Sequence, residues 1–310
     1  MTARNTHTAP KRLSLRAQAL KILLRLMRRK KIWASVAGME EGIRQARQEG
    51  PARPGSSLLR HAELRTEIIA GSEVYTLVPR DGVSAQTILY IHGGGYIRPI
   101  TKYHWEFLTW LLQAQQATIV VPLYPLAPES TCQATVRAVR SAHDLAVQRH
   151  GRFDAFIGDS AGAGLCLALC QDLRNSALEL PRRMVLISPF VDVTLSSPAI
   201  IETDKRDLML GPAGLREAGR LYAGELPLDH PMVSPVYADL RGFPTMQVFV
   251  ASDDIAGHDA LILAERAREA AVETEVHIGS GLMHVWPILP IPEASISRAA
   301  MSEFLQKDHL

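Results

Sequence analysis

Gly158-Asp159-Ser160-Ala161-Gly162 has the pattern Gly-x-Ser-x-Gly and decides how the rest of this chain is interpreted. An apolar, strand-like run over residues 153–157 leads into it, and a run of small and apolar residues over 163–169 leads out of it as a predicted helix. A serine on a sharp turn between a strand and a helix needs very small neighbours, because the backbone there is crowded. The pattern therefore predicts a nucleophile elbow that presents the Ser160 hydroxyl at the end of a buried strand.

A second motif, His92-Gly93-Gly94-Gly95-Tyr96, follows the apolar, β-branched run Thr87–Ile91. Glycines at the end of a strand let the backbone approach a substrate and direct N–H groups at an oxyanion, and loss of one such donor typically costs about 100- to 1000-fold in rate. The alternative interpretation is an ordinary glycine turn. We favour the catalytic one because the glycine run precedes the elbow, which is the order found in α/β-hydrolases.

The acid of a hydrolase triad is expected after the nucleophile and before the histidine. The strand-like run Met246–Ala251 is followed by Asp253 and Asp254, at the start of a stretch whose composition predicts a helix. Neighbouring side chains on a turn point in different directions, so one carboxylate would orient the histidine and the other would cap the helix. We prefer Asp253 as the triad acid and keep Asp254 as the alternative.

His284 is the candidate base, because it lies in a loop after the strand-like run Glu275–Ile278. His277 lies inside that run, where a surface or packing role is more common. The predicted mechanism has Ser160 as nucleophile, His284 as general base and then general acid, and Asp253 as the group that holds the imidazole tautomer.

These motifs resemble those of the bacterial hormone-sensitive-lipase-like esterases of the α/β-hydrolase fold, and within that group the chain is similar to acetyl-hydrolases and monoterpene ε-lactone hydrolases. The resemblance extends from about Glu67 to near the C-terminus. It also rests on the stretches Tyr124–Glu129, Gly281–Pro287, Ile187–Asp192 and Ser234–Tyr237. The resemblance implies an oxyanion hole formed by the backbone N–H groups of Gly93, Gly94 and Ala161. It also implies that the substrates are short- to medium-chain esters.

Composition excludes several classes of protein. The chain has 310 residues, of which 47% are hydrophobic, which is enough for one large α/β domain. A formal net charge of +2 gives no electrostatic case for nucleic-acid binding. The 3 cysteines predict no disulfide framework, which favours a cytoplasmic location. No metal-ligand spacing or cofactor-binding loop is apparent, so we expect neither a metal nor a cofactor, and no segment has the length of a membrane span.

The order of predicted elements indicates the fold class. Strands alternate with helices from residue 86 onward, which predicts an α/β-hydrolase fold with a mostly parallel central sheet and helices on both faces. A hairpin within residues 66–78 is expected at one edge, and an exposed strand over 274–278 at the other. We divide the chain into a basic helical cap segment over 1–55 and a hydrolase domain over 56–310. An insertion at about 192–239 would complete the cap.

The first residues of the chain have a distinct character. Residues 1–10 are expected to be disordered, and residues 11–31 predict one basic amphipathic helix without acidic residues. Such a helix can cover the active site or lie on an anionic membrane surface, and we favour the first role without excluding the second. Leu208, Met209 and Leu210 of the insertion, with Leu221 and Tyr222, are candidates for lining the pocket.

The leading functional hypothesis is a serine carboxylesterase for small or medium, apolar esters, with a small-molecule ester or lactone as its partner. A lactone hydrolase would use the same triad. A non-catalytic ligand receptor on the same fold is the alternative from another class, and it is disfavoured because all three triad members have candidates. An exposed edge strand at 274–278 would allow a homodimer.

Overall fold

One twisted sheet organises the molecule. The computed structural model describes residues 12–80 and 86–307 and the backbone of residues 5–7, and the strands named here lie within these residues. They form a single nine-stranded sheet with the order β1-β9-β8-β7-β6-β4-β5-β3-β2. The strands are β1 (Asn5–His7), β2 (Ala62–Ile69), β3 (Ser72–Pro79), β4 (Thr87–Ile91), β5 (Thr118–Pro122), β6 (Ala155–Asp159), β7 (Arg183–Ile187), β8 (Thr245–Ala251) and β9 (Thr274–Gly279).

The central strands are parallel and buried. Every residue of β4, β5, β6 and β7 is buried, so these strands are apolar runs without polar alternation, as expected for a sheet covered on both faces. Among the described strands only β3 is reversed: it pairs antiparallel with β2, as a hairpin at one edge, and antiparallel with β5 on its other side. The predicted fold class, with its mostly parallel sheet and the hairpin at one edge, is confirmed.

Helices cover both faces of the sheet. They are α1 (Leu15–Leu26), α2 (Val36–Glu49), α3 (Ser56–His61), α4 (Lys102–Gln115), α5 (Cys132–His150), α6 (Ala161–Asn175), α7 (Ile200–Asp204), α8 (Pro212–Ala223), α9 (Gly257–Glu269) and α10 (Glu293–Gln306). The core divides into two clusters, one on each face. Helices α5, α6, α8 and α9 contribute to the first cluster, and α3, α4 and α10 contribute to the second.

The predicted exposed edge at 274–278 is wrong. β1 pairs in parallel with β9, with Asn5 opposite Val276 and His7 opposite Ile278, so residues 5–7 form a strand where disorder was expected. The other residues of that disorder prediction, 1–4 and 8–10, lie outside the described residues. The edge of the sheet is therefore a strand of 3 residues, and a homodimer stays a prediction.

The single helix predicted over 11–31 is also wrong in its extent. Helix α1 begins after Ser14, whose Oγ accepts the Ala17 N–H, and it ends at Leu26. Arg28 then adopts the left-handed conformation (φ 48°) and starts a 3-10 turn over Arg29–Ile32. Lys11 lies outside the described residues. The break turns the chain so that α2 can pack beside α8.

The N-terminal helices and the insertion cover the carboxyl edge of the sheet. Ser14 donates through its backbone N–H (2.6 Å) and its hydroxyl (2.9 Å) to the Glu293 carboxylate. The Gly214 N–H of α8 donates to the Trp33 carbonyl at 2.8 Å, which joins the insertion to the N-terminal segment. Because ligands of parallel α/β sheets bind beyond the carboxyl ends of the strands, this cover lies where a substrate would enter.

Candidate active site

The nucleophile elbow forms at the junction of β6 and α6. Ser160 has φ 51° and ψ −120°, a strained conformation for a residue with a Cβ. A side chain at Gly162 would overlap the Ile91 carbonyl oxygen, and one at Gly158 would lie 2.6 Å from the backbone of Gly162. Only glycine fits at either position, which is the physical reason for the Gly-x-Ser-x-Gly pattern.

Three side chains form a continuous hydrogen-bonded row. The Nε2 atom of His284 lies 2.9 Å from the Ser160 Oγ, and its Nδ1 atom lies 2.8 Å from an Asp254 Oδ2. A carboxylate only accepts hydrogen bonds, so Nδ1 carries the ring proton and Nε2 accepts from the serine hydroxyl. All three residues are buried. This arrangement can withdraw a proton from Ser160 and store it on the imidazole.

The preference for Asp253 as the carboxylate beside His284 is wrong. The Asp253 side chain faces away from the imidazole and accepts from Lys21 Nζ at 2.8 Å. Asp254 points inward instead, where Oδ2 meets His284 and Oδ1 accepts the Ala256 N–H at 3.0 Å. Asp254 therefore orients the imidazole and closes the turn before α9, whereas neither aspartate caps that helix.

The loop that carries His284 is held in place by a hydrogen bond to Ser188. Val285 has a left-handed conformation (φ 52°), and its N–H donates to the Ser188 Oγ at 3.0 Å. His277, the competing candidate, lies within β9, where it stacks on Phe249 with ring centroids 4.9 Å apart. Its Nε2 lies 3.2 Å from the Gln247 amide nitrogen, so it has a packing role away from Ser160.

Negative charge surrounds His284. Burial alone would lower the pKa of its imidazole, but the charge and hydrogen bond of Asp254 raise that pKa above its ordinary value, with smaller contributions from Asp207 and Asp159. Asp207 comes from the insertion, and its Oδ2 accepts the Ile255 N–H at 3.0 Å, directly beside Asp254. Burial and the charge of Asp254 raise the pKa of Asp207 in turn. No sequence pattern predicted this contact.

A further buried carboxyl lies behind the acid. Burial, together with the charges of Asp192 and Asp254, raises the pKa of Asp259 to about 7. One of its oxygens, Oδ2, has no hydrogen-bond partner among the described residues. Asp259 is therefore about half protonated at pH 7, which lessens the negative charge beside Asp254.

The glycine run contacts the elbow, but the N–H of its first glycine already donates a hydrogen bond within the protein. The Gly93 N–H donates to the Asp159 Oδ1 at 3.0 Å, so the donor predicted for Gly93 points into the protein. Gly94 has φ 127°, which only glycine adopts readily, and it borders the cavity beside Ser160. None of the hydrogen bonds found among the described residues uses the N–H of Gly94 or Ala161. These two groups can receive an oxyanion.

Asp159, the second residue of the elbow, ties the two motifs together. Its Oδ1 also accepts the Tyr90 hydroxyl at 2.6 Å, and its Oδ2 lies 3.3 Å from the His104 Nε2. The Thr101 N–H donates to the His104 Nδ1 at 2.8 Å, so Nε2 carries the proton. No sequence pattern predicts this hydrogen-bond network, because its members are far apart in the chain. The only available signal was an acidic residue inside an otherwise apolar motif.

His92, which opens the glycine motif, has a structural role. Its ring stacks on Tyr124 with centroids 4.4 Å apart, and the Tyr124 hydroxyl donates to the His92 carbonyl at 2.8 Å. Burial, with the nearby charge of His104, lowers the pKa of His92 to about 4. The ring is therefore neutral at physiological pH and supports the loop.

A cavity of about 320 Å³ opens onto Ser160 and His284. Its walls are mostly apolar and come from α1, the 3-10 turn, the insertion and the loop after His284. The apolar lining residues include Leu20, Leu24, Met27, Ile32, Trp33, Met209, Leu210, Leu215, Ile288 and Leu289. Met209 and Leu210 thus line it as predicted, whereas Tyr222 packs in the core, stacked on Tyr96 with centroids 3.7 Å apart. Leu208 and Leu221 are not among the residues that border this cavity.

The His, Cys, Asp and Glu side chains outside the row from Ser160 to Asp254 are the groups that could offer metal-binding or thiol chemistry of their own. Within residues 12–80 and 86–307, no three His, Cys, Asp or Glu side chains are grouped to hold a metal ion. Cys132, Cys166 and Cys170 are free and buried. Burial raises the pKa of the Cys132 thiol to about 11. The described thiols are therefore packing groups.

The chain is similar in sequence and fold to known esterases and lipases. Residues 88–288 match the family model described as alpha/beta hydrolase fold. An acetyl-hydrolase of Streptomyces hygroscopicus is 31% identical over 212 residues, which cover 66% of this chain and 71% of that protein. An esterase of Acinetobacter venetianus is 30% identical over 226 residues, covering 71% and 75%. The crystal structure of a hormone-sensitive lipase from a metagenome library has a TM-score of 0.80 at 31% identity, covering 94% and 98%.

Proposed function

The chain belongs to the alpha/beta hydrolase family, as its resemblance to hormone-sensitive-lipase-like esterases predicted, and on this basis we propose that it is a serine carboxylic-ester hydrolase. The observation that carries the proposal is the row of contacts from Ser160 through His284 to Asp254. The proposed substrates are short- to medium-chain or small apolar esters.

The proposed reaction has two halves. The Ser160 Oγ attacks the ester carbonyl carbon while the His284 Nε2 takes its proton, and a tetrahedral intermediate forms. The imidazolium, held by Asp254, gives that proton to the alcohol oxygen as the carbon–oxygen bond breaks. Water, deprotonated by His284, then attacks the acyl-enzyme, and the proton returns to Ser160 as the acid leaves.

We propose that the N–H groups of Gly94 and Ala161 stabilise the oxyanion. Both lie beside Ser160, and neither has a hydrogen-bond partner among the described residues. Ala161 is the first residue of α6, so its N–H is one of the four that a helix leaves free at its start. Gly93, the third donor implied by the family resemblance, would have to release Asp159 to take part.

The cavity supports small, apolar substrates. Its volume of about 320 Å³ is at the lower end of ligand pockets, which are typically about 300–1,000 Å³. A lactone is the alternative substrate, since its opening uses the same acyl-enzyme with the alcohol still attached. A ligand receptor remains the alternative from another class, and loss of the Ser160 hydroxyl separates a receptor from an enzyme.

The proposal is tested by hydrolysis of p-nitrophenyl esters across acyl lengths, with Ser160→Ala as the control. We expect serine-dependent turnover that is greatest at short or medium chains, because the cavity limits the acyl group. Serine-independent turnover would contradict the proposed mechanism. No turnover by wild type on any of these esters or on small lactones would support a receptor.

We also propose that α1 touches an anionic membrane surface. Leu15, Ile22 and Leu26 share one face of α1 and are 82%, 55% and 76% exposed, which is unusual for large apolar side chains. The described residues from Arg12 to Met39 include no acidic residue. No helix among the described residues is long and apolar enough to span a membrane, so contact would be at the surface.

The membrane proposal is tested by co-sedimentation with vesicles of anionic or of zwitterionic lipid. Replacing Leu15, Ile22 and Leu26 by glutamine together is expected to weaken binding to anionic vesicles by about tenfold or more, because apolar burial is lost. None of the three lines the cavity, so ester turnover in solution should change little. The matched control replaces Leu178 and Ile296 by glutamine, because these two apolar side chains are also exposed but lie outside α1. Equal binding by wild type and both variants contradicts the proposal.

A further inference from the structure

Two arginines border a cavity whose walls are otherwise mostly apolar. Arg98 follows the glycine run, and its N–H donates to the Gly94 carbonyl at 3.0 Å, so its backbone is part of the loop beside Ser160. Its side chain is half-buried and lines the cavity. Arg29, from the 3-10 turn after α1, lines the same cavity and is exposed.

The Arg98 guanidinium has no carboxylate partner within the described residues. Its Nη1 donates to the Gly42 carbonyl of α2 at 2.9 Å, and none of the ion pairs found among the described residues includes Arg98. Burial lowers the pKa of Arg98, and the positive charge of Arg29 adds to this, whereas Glu49 acts in the opposite direction without forming an ion pair. An arginine stays charged at any physiological pH, so a half-buried cation is left with one neutral partner.

Arg47 of α2 contacts the same loop as Arg98, and its guanidinium is fully paired. Arg47 pairs with Glu129 at 2.8 Å and also donates to the carbonyls of Ile97 and Ala127, each at 2.8 Å. It binds the same loop from α2 but is not part of the cavity wall. Arg47 is therefore a fully engaged structural residue, and Arg98 is not.

No free carboxylate balances the two cations inside the cavity. Asp159 is the only acidic residue among its described lining residues, and its oxygens already accept from Tyr90, Gly93 and His104. The pocket therefore combines apolar walls with two arginines, Arg98 and Arg29, that form no ion pair among the described residues. Such a site attracts an anion and pairs with it strongly, because charge-assisted hydrogen bonds are about twice as strong as neutral ones.

We propose that this pocket prefers esters that carry an anionic group, a carboxylate or a phosphate, which pairs with the Arg98 guanidinium while Arg29 attracts it at the entrance. This inference rests on the proposed ester hydrolysis at Ser160 and adds the charge of the substrate to it. The anion can belong to the acyl part, as in a monoester of a dicarboxylic acid, or to the alcohol part.

Two pairs of esters test the proposal and separate these sources. The acyl arm compares mono-p-nitrophenyl glutarate with neutral p-nitrophenyl pentanoate, and the alcohol arm compares p-acetoxybenzoate with neutral p-acetoxybenzamide. Each kcat/KM is divided by the rate of hydroxide hydrolysis of the same ester. Wild type is expected to favour the anionic member of at least one arm by about tenfold, and less so at high salt.

Variants separate recognition from support of the loop. Arg98→Gln is expected to lower kcat/KM of the anionic ester about tenfold more than that of the neutral ester, so that the preference is lost, and Arg98→Lys, which keeps the charge, should retain part of the preference. Arg47→Gln is the matched control, since it weakens the same loop without altering the cavity charge, and it should change both members of a pair by one factor. Arg29→Gln should reduce the preference less than Arg98→Gln.

The outcomes are distinct from those that test ester hydrolysis itself. Serine-dependent turnover of the neutral esters, with no anionic preference in either arm, overturns this inference and leaves the proposed function intact. A preference that Arg98→Gln leaves unchanged also overturns it. Loss of the preference in Arg98→Gln but not in Arg47→Gln supports it.

Discussion

Replacing His284 by alanine is expected to lower kcat/KM for a p-nitrophenyl ester by about 10⁴- to 10⁶-fold, because the proposed general base is lost. The His284 Nε2 is the only basic atom within hydrogen-bond distance of the Ser160 Oγ in the described part of the chain, at 2.9 Å. Without it, the serine hydroxyl must lose its proton to water. The residual rate would come from the oxyanion donors and substrate binding alone.

His277→Ala is the matched control for that substitution. His277 is also a buried histidine, but it stacks on Phe249 and contacts Gln247 within the sheet. Its loss should cost stability, seen as a lower Tm, and leave kcat/KM of the folded protein nearly unchanged. Near-normal activity of His284→Ala, with a large loss in His277→Ala, would mean that His277 and not His284 is the base.

The same histidine sets the expected pH dependence. Only the neutral imidazole accepts the serine proton, so activity should rise with pH as His284 loses its charge. Asp254 and its neighbours raise the pKa of His284 despite burial. The midpoint of the acid limb of kcat/KM is therefore expected above the ordinary histidine value of about 6.5.

Much of the fold was predictable because local patterns and global packing agree. The runs predicted as a strand over 246–251 and as a helix over 163–169 lie within β8 and α6, since apolar β-branched runs and small-residue helices leave few alternatives. β1 could not be predicted, because 3 residues carry too little pattern and their pairing with β9 depends on contacts far along the chain. The break of the N-terminal helix at Arg28 lacks any glycine or proline that would have marked it.

The site was predictable to the level of motifs but not of side-chain direction. Ser160 and His284 follow from chain order and from their position after strands. The direction of two adjacent aspartates depends on how β8 twists into the turn before α9, which no local pattern records. The bond between Gly93 and Asp159 joins residues 66 positions apart, so only the packed structure shows that this N–H is occupied.

Asp254→Asn is expected to lower kcat by about 10⁴-fold, whereas Asp253→Asn should cost less than about tenfold. An amide can present its NH₂ group to the His284 Nδ1, which favours the tautomer with the proton on Nε2, where it cannot accept from Ser160. Asp253→Asn removes the partly exposed ion pairs with Lys21, at 2.8 Å, and with Arg206, at 3.5 Å, which help to hold α1 and the insertion. The two variants make the same chemical change at neighbouring residues, whose side chains point in different directions.

The pH profile separates an effect on the imidazole from a general disturbance of the turn. Without the charge of Asp254, burial dominates and lowers the pKa of His284, so the acid limb of the residual activity of Asp254→Asn should move to lower pH. Asp253 is not among the groups that shift the pKa of His284, so Asp253→Asn should keep the wild-type profile. Similar losses in both variants, with unshifted profiles, would mean that the turn matters only for packing. A large loss with a shifted profile in Asp253→Asn alone would restore that residue as the acid and require the turn to rearrange when substrate binds.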